Sequence, residues 1–404
     1  MRIMENEVCL ISGIGLFVNS NPPHSMIARE LAKKNTVIYA ERGYYSENIL
    51  SWLKDLYIWY ARFFNFYFIR KSENVAVVRL PWMLPLYFPF ISRFYRKEIM
   101  LLSIKVSKLV QAFVLRRKLS SMGLLPSIFF FTDPFSVLWI KKFGEKVSCA
   151  LIADEQAMLP QFNYMCDVIE EIEFKNIQRA DFVFATSMFQ YGRRKKVNPK
   201  TFYIPNAVEF DFFYKTVEHN LPEPLELNAI PSPRIGYIGD VWIRLDYDLL
   251  EYIARSRPDW SLVLVGSSEG SWKIDDVIRL NELPNVHILP YKSREEIPAY
   301  LSYFDVGIIP FKVNALTKTM NPQKMYEYLS VGLPVISTSL PEVERLRNVI
   351  RIAEDHKMFL RCIEEEMISN NEFKIRERVE TARENSWEKR VEQISHIIKD
   401  YPLR

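Results

Sequence analysis

Short β-branched and aromatic runs alternate along this chain with longer stretches whose apolar positions follow a helical period. That alternation predicts parallel sheets joined by crossover helices. In the first half the spacing predicts strands at Val8–Ile14, Thr36–Ala40, Val75–Leu80, Ser127–Thr132, Val147–Ile152 and Asp181–Thr186. Helices are expected at Ser25–Lys34, Ser92–Lys118 and Asn163–Arg179, with a weaker helical pattern over Asn48–Ile69.

The rhythm then restarts. Strands are expected at Arg234–Gly239, Ser261–Val265, Asn285–Leu289, Val306–Pro310, Pro334–Thr338 and Val349–Ala353, with helices at Asp246–Ser256, Arg294–Phe304, Pro322–Val331 and Pro341–Asn348. Between the two series, residues 216–233 (TVEHNLPEPLELNAIPSP) are proline-rich and aperiodic, which predicts a linker. After Glu354 the pattern is helical, ending in an amphipathic stretch at Trp387–Lys399. The expected class is therefore α/β, with two Rossmann-like doubly wound domains facing a cleft. Ligands of such sheets bind outside the carboxyl ends of the strands.

The length, 404 residues, fits two domains better than one core. At 49% hydrophobic and 25% charged residues the chain is ordinary globular material, and with 12 glycines against 23 prolines it offers little flexible low-complexity sequence. Cys9, Cys149, Cys166 and Cys362 lie far apart, and His24, His219, His287, His356 and His396 show no ligand spacing, so no disulfide framework and no metal site are expected. The start MRIMENEV is charged and no cleavage pattern follows, so the expected location is cytoplasmic.

Charge is unevenly spread. Between Ser51 and Ser120 there are 13 lysines and arginines against 3 acidic residues, together with 16 aromatics. Two readings follow: docking on an anionic membrane surface, or a helical subdomain with core aromatics and solvated cations. The longest uncharged run there, Leu80–Ser92, is interrupted by Pro81, Pro85 and Pro89, so the expectation is a chain that lies on a membrane without crossing it. Nothing points to a nucleic-acid partner.

The chemistry concentrates in Asp305–Thr338. A strand ends at Pro310, a polar loop presents Lys312, Asn314, Thr317, Lys318 and Asn321, and Pro322 is expected to open a helix capped by Asn321. Cations beside a helix start are unfavourable for the helix alone, but they suit an anion held between them. A diphosphate fits that description. Glu327, one turn beyond Lys324, is placed to accept two hydrogen bonds from ribose hydroxyls. The plainer alternative is a solvated basic loop with Glu327 on the surface.

The run P-F-K-x-N-x-L-T-x-x-x-N-P-x-K-x-x-E-Y-L-x-x-G-x-P-V-I-S-T, Pro310–Thr338, resembles the donor-binding segment of GT-B glycosyltransferases related to family 4, near the branch that includes teichuronic acid glycosyltransferases. Pro233–Asp240, Pro258–Gly266, Pro284–Pro290 and Glu295–Pro310 resemble the preceding strands and helix of that domain. Ile204–Val208 resembles the close of the N-terminal domain, and Ala382–Glu388 the lead-in to a last helix that crosses back to it. The likeness covers about residues 200–390. It implies a N-terminal acceptor-binding domain at 1–207, carrying 51–120 as an insertion, a nucleotide-sugar domain at 208–385, and a returning helix at 386–404.

By the same resemblance Glu327 grips the nucleotide ribose, the amides of Met320 and Asn321 meet the diphosphate, and Lys324 touches the distal phosphate. Thr317 and Lys318 belong to this loop, Tyr291 and Lys292 lie where the base is held, and Gly239 and Arg244 lie after the first strand of the domain. Three departures stand out: Thr319 occupies the place of a second glutamate, Gly239-Asp240 replaces a Gly-Arg pair, and Asn21-Pro22-Pro23-His24-Ser25 differs from the usual N-terminal loop.

On the acceptor side the candidates are Gly13 and Gly15 after the first strand, His24 before the first helix, and Asp154 with Glu155 after Ile152. His24 is read as a partner for the leaving phosphate or the acceptor hydroxyl, with a helix-start role as the alternative, and Asp154 as a residue orienting the acceptor, with helix capping as the alternative. The implied reaction moves a sugar from a nucleotide diphosphate to a hydroxyl of a lipid-linked sugar or polysaccharide. It needs no cofactor or metal and retains configuration. The alternatives are a sugar-nucleotide epimerase of the same architecture and a catalytically silent membrane scaffold.

Overall fold

The computed structural model describes residues 4–13, 22–41, 68–70, 74–80, 97–153, 166–219, 221–241, 244–266 and 274–400. The chain divides into two compact units, Met1–Pro205 with Arg390–Arg404, and Asn206–Lys389. Gly15, Asp154, Glu155 and most of 51–96 lie outside the described residues.

The first unit is built on strands β1 (Val8–Gly13), β2 (Thr36–Glu41), β3 (Phe68–Arg70), β4 (Val75–Arg79), β5 (Ile128–Phe131), β6 (Val147–Ile152), β7 (Phe182–Ala185) and β8 (Thr201–Tyr203). They form one sheet in the order β3-β4-β2-β1-β5-β6-β7-β8. Every pairing is parallel except β3 on β4. Strands covered on both faces read as continuous apolar runs, and Ile128–Phe131 and Val147–Ile152 are buried throughout.

The second unit repeats the design with β9 (Arg234–Ile238), β10 (Ser261–Val265), β11 (Val286–Leu289), β12 (Val306–Ile309), β13 (Val335–Thr338) and β14 (Arg351–Ala353), in the order β11-β10-β9-β12-β13-β14. All its pairings are parallel. Both sheets are thus doubly wound, and strand order reverses between β1 and β5 in one and between β9 and β12 in the other. The predicted α/β class with two Rossmann-like domains is what the structure shows. The helix Trp387–Asp400 starts in the second unit and from Arg390 belongs to the first, where Arg390 Nε donates to the Pro205 carbonyl at 3.0 Å.

Several local expectations fail for identifiable reasons. Residues 216–233 do not bridge the units. Leu227 and Ile230 are buried in the second core, and their carbonyls accept from the Arg234 guanidinium at 2.9 and 2.8 Å. Pro341–Asn348 is not an α-helix but closes in i→i+3 bonds around a short 3-10 turn at Glu344–Leu346. The weak helical pattern over Asn48–Ile69 fails at its end, where Phe68 and Ile69 pair with β4. The helices Met188–Lys195, Phe210–His219 and Ile274–Asn281 and the strands β3 and β8 carry too short a pattern to be read from periodicity. Among the described residues no helix is long and apolar enough to cross a membrane.

The helix Lys97–Ser121 turns a partly polar face inward. Ile104, Ser107, Lys108, Gln111, Ala112, Leu115 and Leu119 are buried, and the reading of this region's cations as solvated fails at Lys108. Its ammonium lies 2.5 Å from Asp133 Oδ2, with the side chains 1% and 0% exposed. It also donates to Ser136 Oγ at 2.9 Å and faces the Trp139 ring, whose Nε1 donates to the Lys108 carbonyl. Asp133 accepts further bonds from Phe135 N and Ser136 Oγ, and Ser136 bonds Ser12 at the end of β1. Removing one member of such a pair leaves a buried uncompensated charge. Lys108→Met is therefore expected to cost about 3–5 kcal/mol in denaturant unfolding, and Lys108→Met with Asp133→Asn to recover part of it. A loss below about 1 kcal/mol in the single variant would contradict the buried pair.

Candidate functional site

In the second unit the reversal of strand order places two loops together, the one after β9 and the one after β12. They are stitched by backbone bonds, Asp246 N to Pro310 O and Lys312 N to Arg244 O, both 2.8 Å, with a bridge between Leu245 and Phe311. The first loop opens with Gly239 at φ 143°, a conformation that favours glycine. Its N–H bonds Val265 O at 2.9 Å, and a Cβ on neighbouring Gly266 would come 2.0 Å from the Gly239 carbonyl oxygen. Gly266 must lack a side chain for the strand ends to approach this closely, whereas Gly239 is required by its backbone conformation.

That closeness leaves a slot which Lys324 fills. A Cβ on Gly239 would meet Lys324 Cε at 3.3 Å and Nζ at 3.4 Å. The ammonium lies 5.2 Å from the Tyr237 ring centroid and 4.9 Å from that of Phe311. Burial, reinforced by repulsion from Arg244, pulls its pKa down to about 8, against the opposing pull of Glu327 and Asp240. The lysine is held partly desolvated beside a second cation, an electrostatically unfavourable arrangement for the protein alone.

The loop after β12 is closed by its own hydrogen bonds. The Thr317 hydroxyl donates to Lys312 O at 2.5 Å and its amide to Asn314 Oδ1 at 3.0 Å, while Met320 N bonds Thr317 O at 3.2 Å. Thr317 and Met320 are buried and contribute loop shape, whereas Lys312 and Lys318 are exposed. The helix begins at Lys324, two residues later than the expected Pro322, and Asn321 does not cap it. Instead the Asn321 amide donates to Glu342 at 3.1 Å and its carbonyl accepts from Asn206 at 2.7 Å. The backbone N–H groups of Asn321, Gln323 and Lys324 have no acceptor among the described residues.

Glu327 stands one turn on, partly buried, and accepts from Gln323 Nε2 at 3.0 Å. Desolvation raises its pKa, opposed by Lys324, the Gln323 bond and Arg294, while Glu209 adds to the rise. Arg294 pairs with Glu209 and stacks 3.8 Å from the Phe212 ring centroid. Sequence reasoning missed Gln323, Arg294, Glu209 and Asp240 as members of this group; Arg294 sits two residues beyond the expected base-holding pair. Of that pair, Tyr291 is exposed at the end of edge strand β11 and Lys292 is engaged by Glu226.

In the first unit, Gly13 ends β1 where a Cβ would come 2.1 Å from Tyr39 Oη and 2.6 Å from His24 Cδ2. His24 is buried in the first turn of the helix Pro23–Ala32 and stacks on Tyr39 with ring centroids 6.0 Å apart. Tyr39 Oη lies 3.3 Å from Ser25 Oγ. Among the described residues no group of three or more His, Cys, Asp or Glu is placed to hold a metal ion.

A putative teichuronic acid biosynthesis glycosyltransferase, TuaH, of Bacillus subtilis (strain 168) is 28% identical over 186 residues, which is 45% of this chain and 46% of that protein. The aligned part thus spans under half the relative's length. Solved structures of similar fold include sucrose-phosphate synthase from Thermosynechococcus elongatus, with a TM-score of 0.66 at 15% identity over 97% of this chain and 98% of that one. Anabaena HepE in complex with UDP and glucose gives a TM-score of 0.65 at 9% identity over 98% and 100%. Residues 232–366, which contain β9 to β14, match the family described as Glycosyl transferases group 1, and the chain as a whole is similar in fold to GT-B structures.

Proposed function

We propose that this chain transfers a sugar from a nucleotide diphosphate donor to a hydroxyl acceptor. The observation that carries the reading is Lys324, desolvated against Gly239 and beside Arg244, with three backbone amides at its helix start that find no acceptor among the described residues and Glu327 one turn further. A diphosphate supplies the negative charge this arrangement lacks, and ribose hydroxyls are the donors a partly buried carboxylate needs. A uridine nucleotide is favoured, since HepE was solved with UDP and another structural neighbour, from E. coli, with UDP-2-fluoro glucose.

As the bond from the anomeric carbon to the diphosphate breaks, negative charge grows on the leaving oxygen. Lys324, Arg244 and the amides of Asn321 and Lys324 are already oriented to stabilise it, so little reorganisation is required. We assign the acceptor to the first unit's own reversal point, at Gly13 and His24. The acceptor is a hydroxyl of a lipid-linked sugar or a polysaccharide, and configuration is retained, with the leaving phosphate oxygen taking the acceptor proton. Lys318, exposed, contributes long-range attraction.

Incubation with UDP-, GDP- and dTDP-sugars tests this directly. Donor hydrolysis or transfer supports it; interconversion of sugars indicates an epimerase, and tight binding without turnover a silent scaffold. Glu327→Ala is expected to weaken nucleotide binding by about 1–3 kcal/mol in calorimetry while the protein still melts cooperatively. Unchanged affinity would remove Glu327 from the ribose contact.

The low pKa of Lys324 gives a pH signature. A bound diphosphate favours the protonated amine, so binding takes up a proton and weakens as pH rises through about 8, approaching about tenfold per pH unit. Calorimetry in buffers of different ionisation heat measures that uptake. An affinity that stays flat from about pH 7 to about pH 9.5 would exclude Lys324 from the anion contact.

A further inference from the structure

The outward face of the helix Lys97–Ser121 is apolar. Leu102, Val106, Leu109, Val110 and Phe113 follow helical spacing along one stripe, and Leu102, Leu109 and Phe113 are 61%, 46% and 67% exposed. The stripe runs about 16 Å along the axis at a rise of about 1.5 Å per residue. On the helical projection Lys105 and Arg116 flank it on one side, Arg117 continues it one turn beyond Phe113, Lys118 follows, all four are exposed, and the helix's one acidic residue, Glu98, lies one turn before the stripe begins. The inward face is held by the Lys108–Asp133 pair and by Leu115 and Leu119, so the helix cannot simply turn over to hide its apolar side.

We propose that this face docks on an anionic lipid bilayer, lying in the plane of the headgroups. An apolar stripe rimmed by lysine and arginine is the pattern of an interfacial helix: the side chains enter the acyl boundary while the cations meet lipid phosphates. A second copy of the chain is a poorer occupant, since two such faces packed on one another would bring eight exposed cations together against one acidic residue, Glu98, on each helix. The local excess of cations across 51–120 adds long-range attraction of the same sign. None of these residues belongs to the proposed donor site, so the two readings stand or fall separately.

The test uses full-length protein with vesicles of phosphatidylcholine alone or mixed with phosphatidylglycerol. The wild type is expected to co-sediment with the mixed vesicles only and to be released by salt. Leu109→Ser with Phe113→Ser, and separately Arg116→Glu with Arg117→Glu, should each weaken that binding at least about tenfold. Both variants should keep the wild-type melting temperature and UDP affinity, which separates lost docking from lost folding. Variants that bind like wild type, or binding indifferent to phosphatidylglycerol and salt, would overturn the proposal. So would a concentration-dependent dimer, seen by sedimentation and abolished by Leu109→Ser with Phe113→Ser, in protein that ignores vesicles.

Discussion

The close approach of two strand ends, Gly239 on Gly266, is the constraint on which the second unit's chemistry depends. A methyl group at Gly266 would overlap the neighbouring backbone, and one at Gly239 would press on the Lys324 side chain. Because both are absent, a lysine can lie across the C-terminal end of β9, between the Tyr237 and Phe311 rings, at the point where strand order reverses. The rest of the group is assembled around that cation. Arg244 is drawn in by the backbone pairing of its loop with Lys312, and Glu327 is brought near by one turn of helix. Under the proposed function, the charge of a bound diphosphate would meet a cation already desolvated and already repelled by Arg244.

Much of this could be read in the residues themselves. Buried parallel strands leave apolar runs such as Ser261–Val265, and these have no other economical explanation than a covered sheet. Lys324 and Glu327 were legible because one helical turn fixes their separation whatever the surroundings. Arg294, Glu209 and Asp240 were not, since they reach the site from three separate segments and only the folded chain brings them near. The Asn321 cap failed for a related reason: its amide is claimed by Glu342, a partner 21 residues away.

Lys108 shows the opposite limit. In sequence it sits in a cationic stretch and reads as solvated, yet the fold encloses it with Asp133 and Trp139 while leaving Leu109 and Phe113 outside. Periodicity finds the faces of a helix but cannot say which one turns inward when both carry apolar residues, as both do here. The choice is settled by complementarity: a carboxylate and two hydroxyls wait on the sheet side, and only the lysine face can satisfy them.

The split of the first unit between residues 1–205 and 390–404 bears on biogenesis. During translation the second unit emerges as one uninterrupted segment and can close on itself. The first unit must wait for the helical piece that begins at Arg390, made only after the whole of the second unit, before Arg390 can reach Pro205. Its nascent form therefore spends the whole synthesis of its neighbour lacking a structural element, which makes it the stage of biosynthesis most in need of chaperone cover.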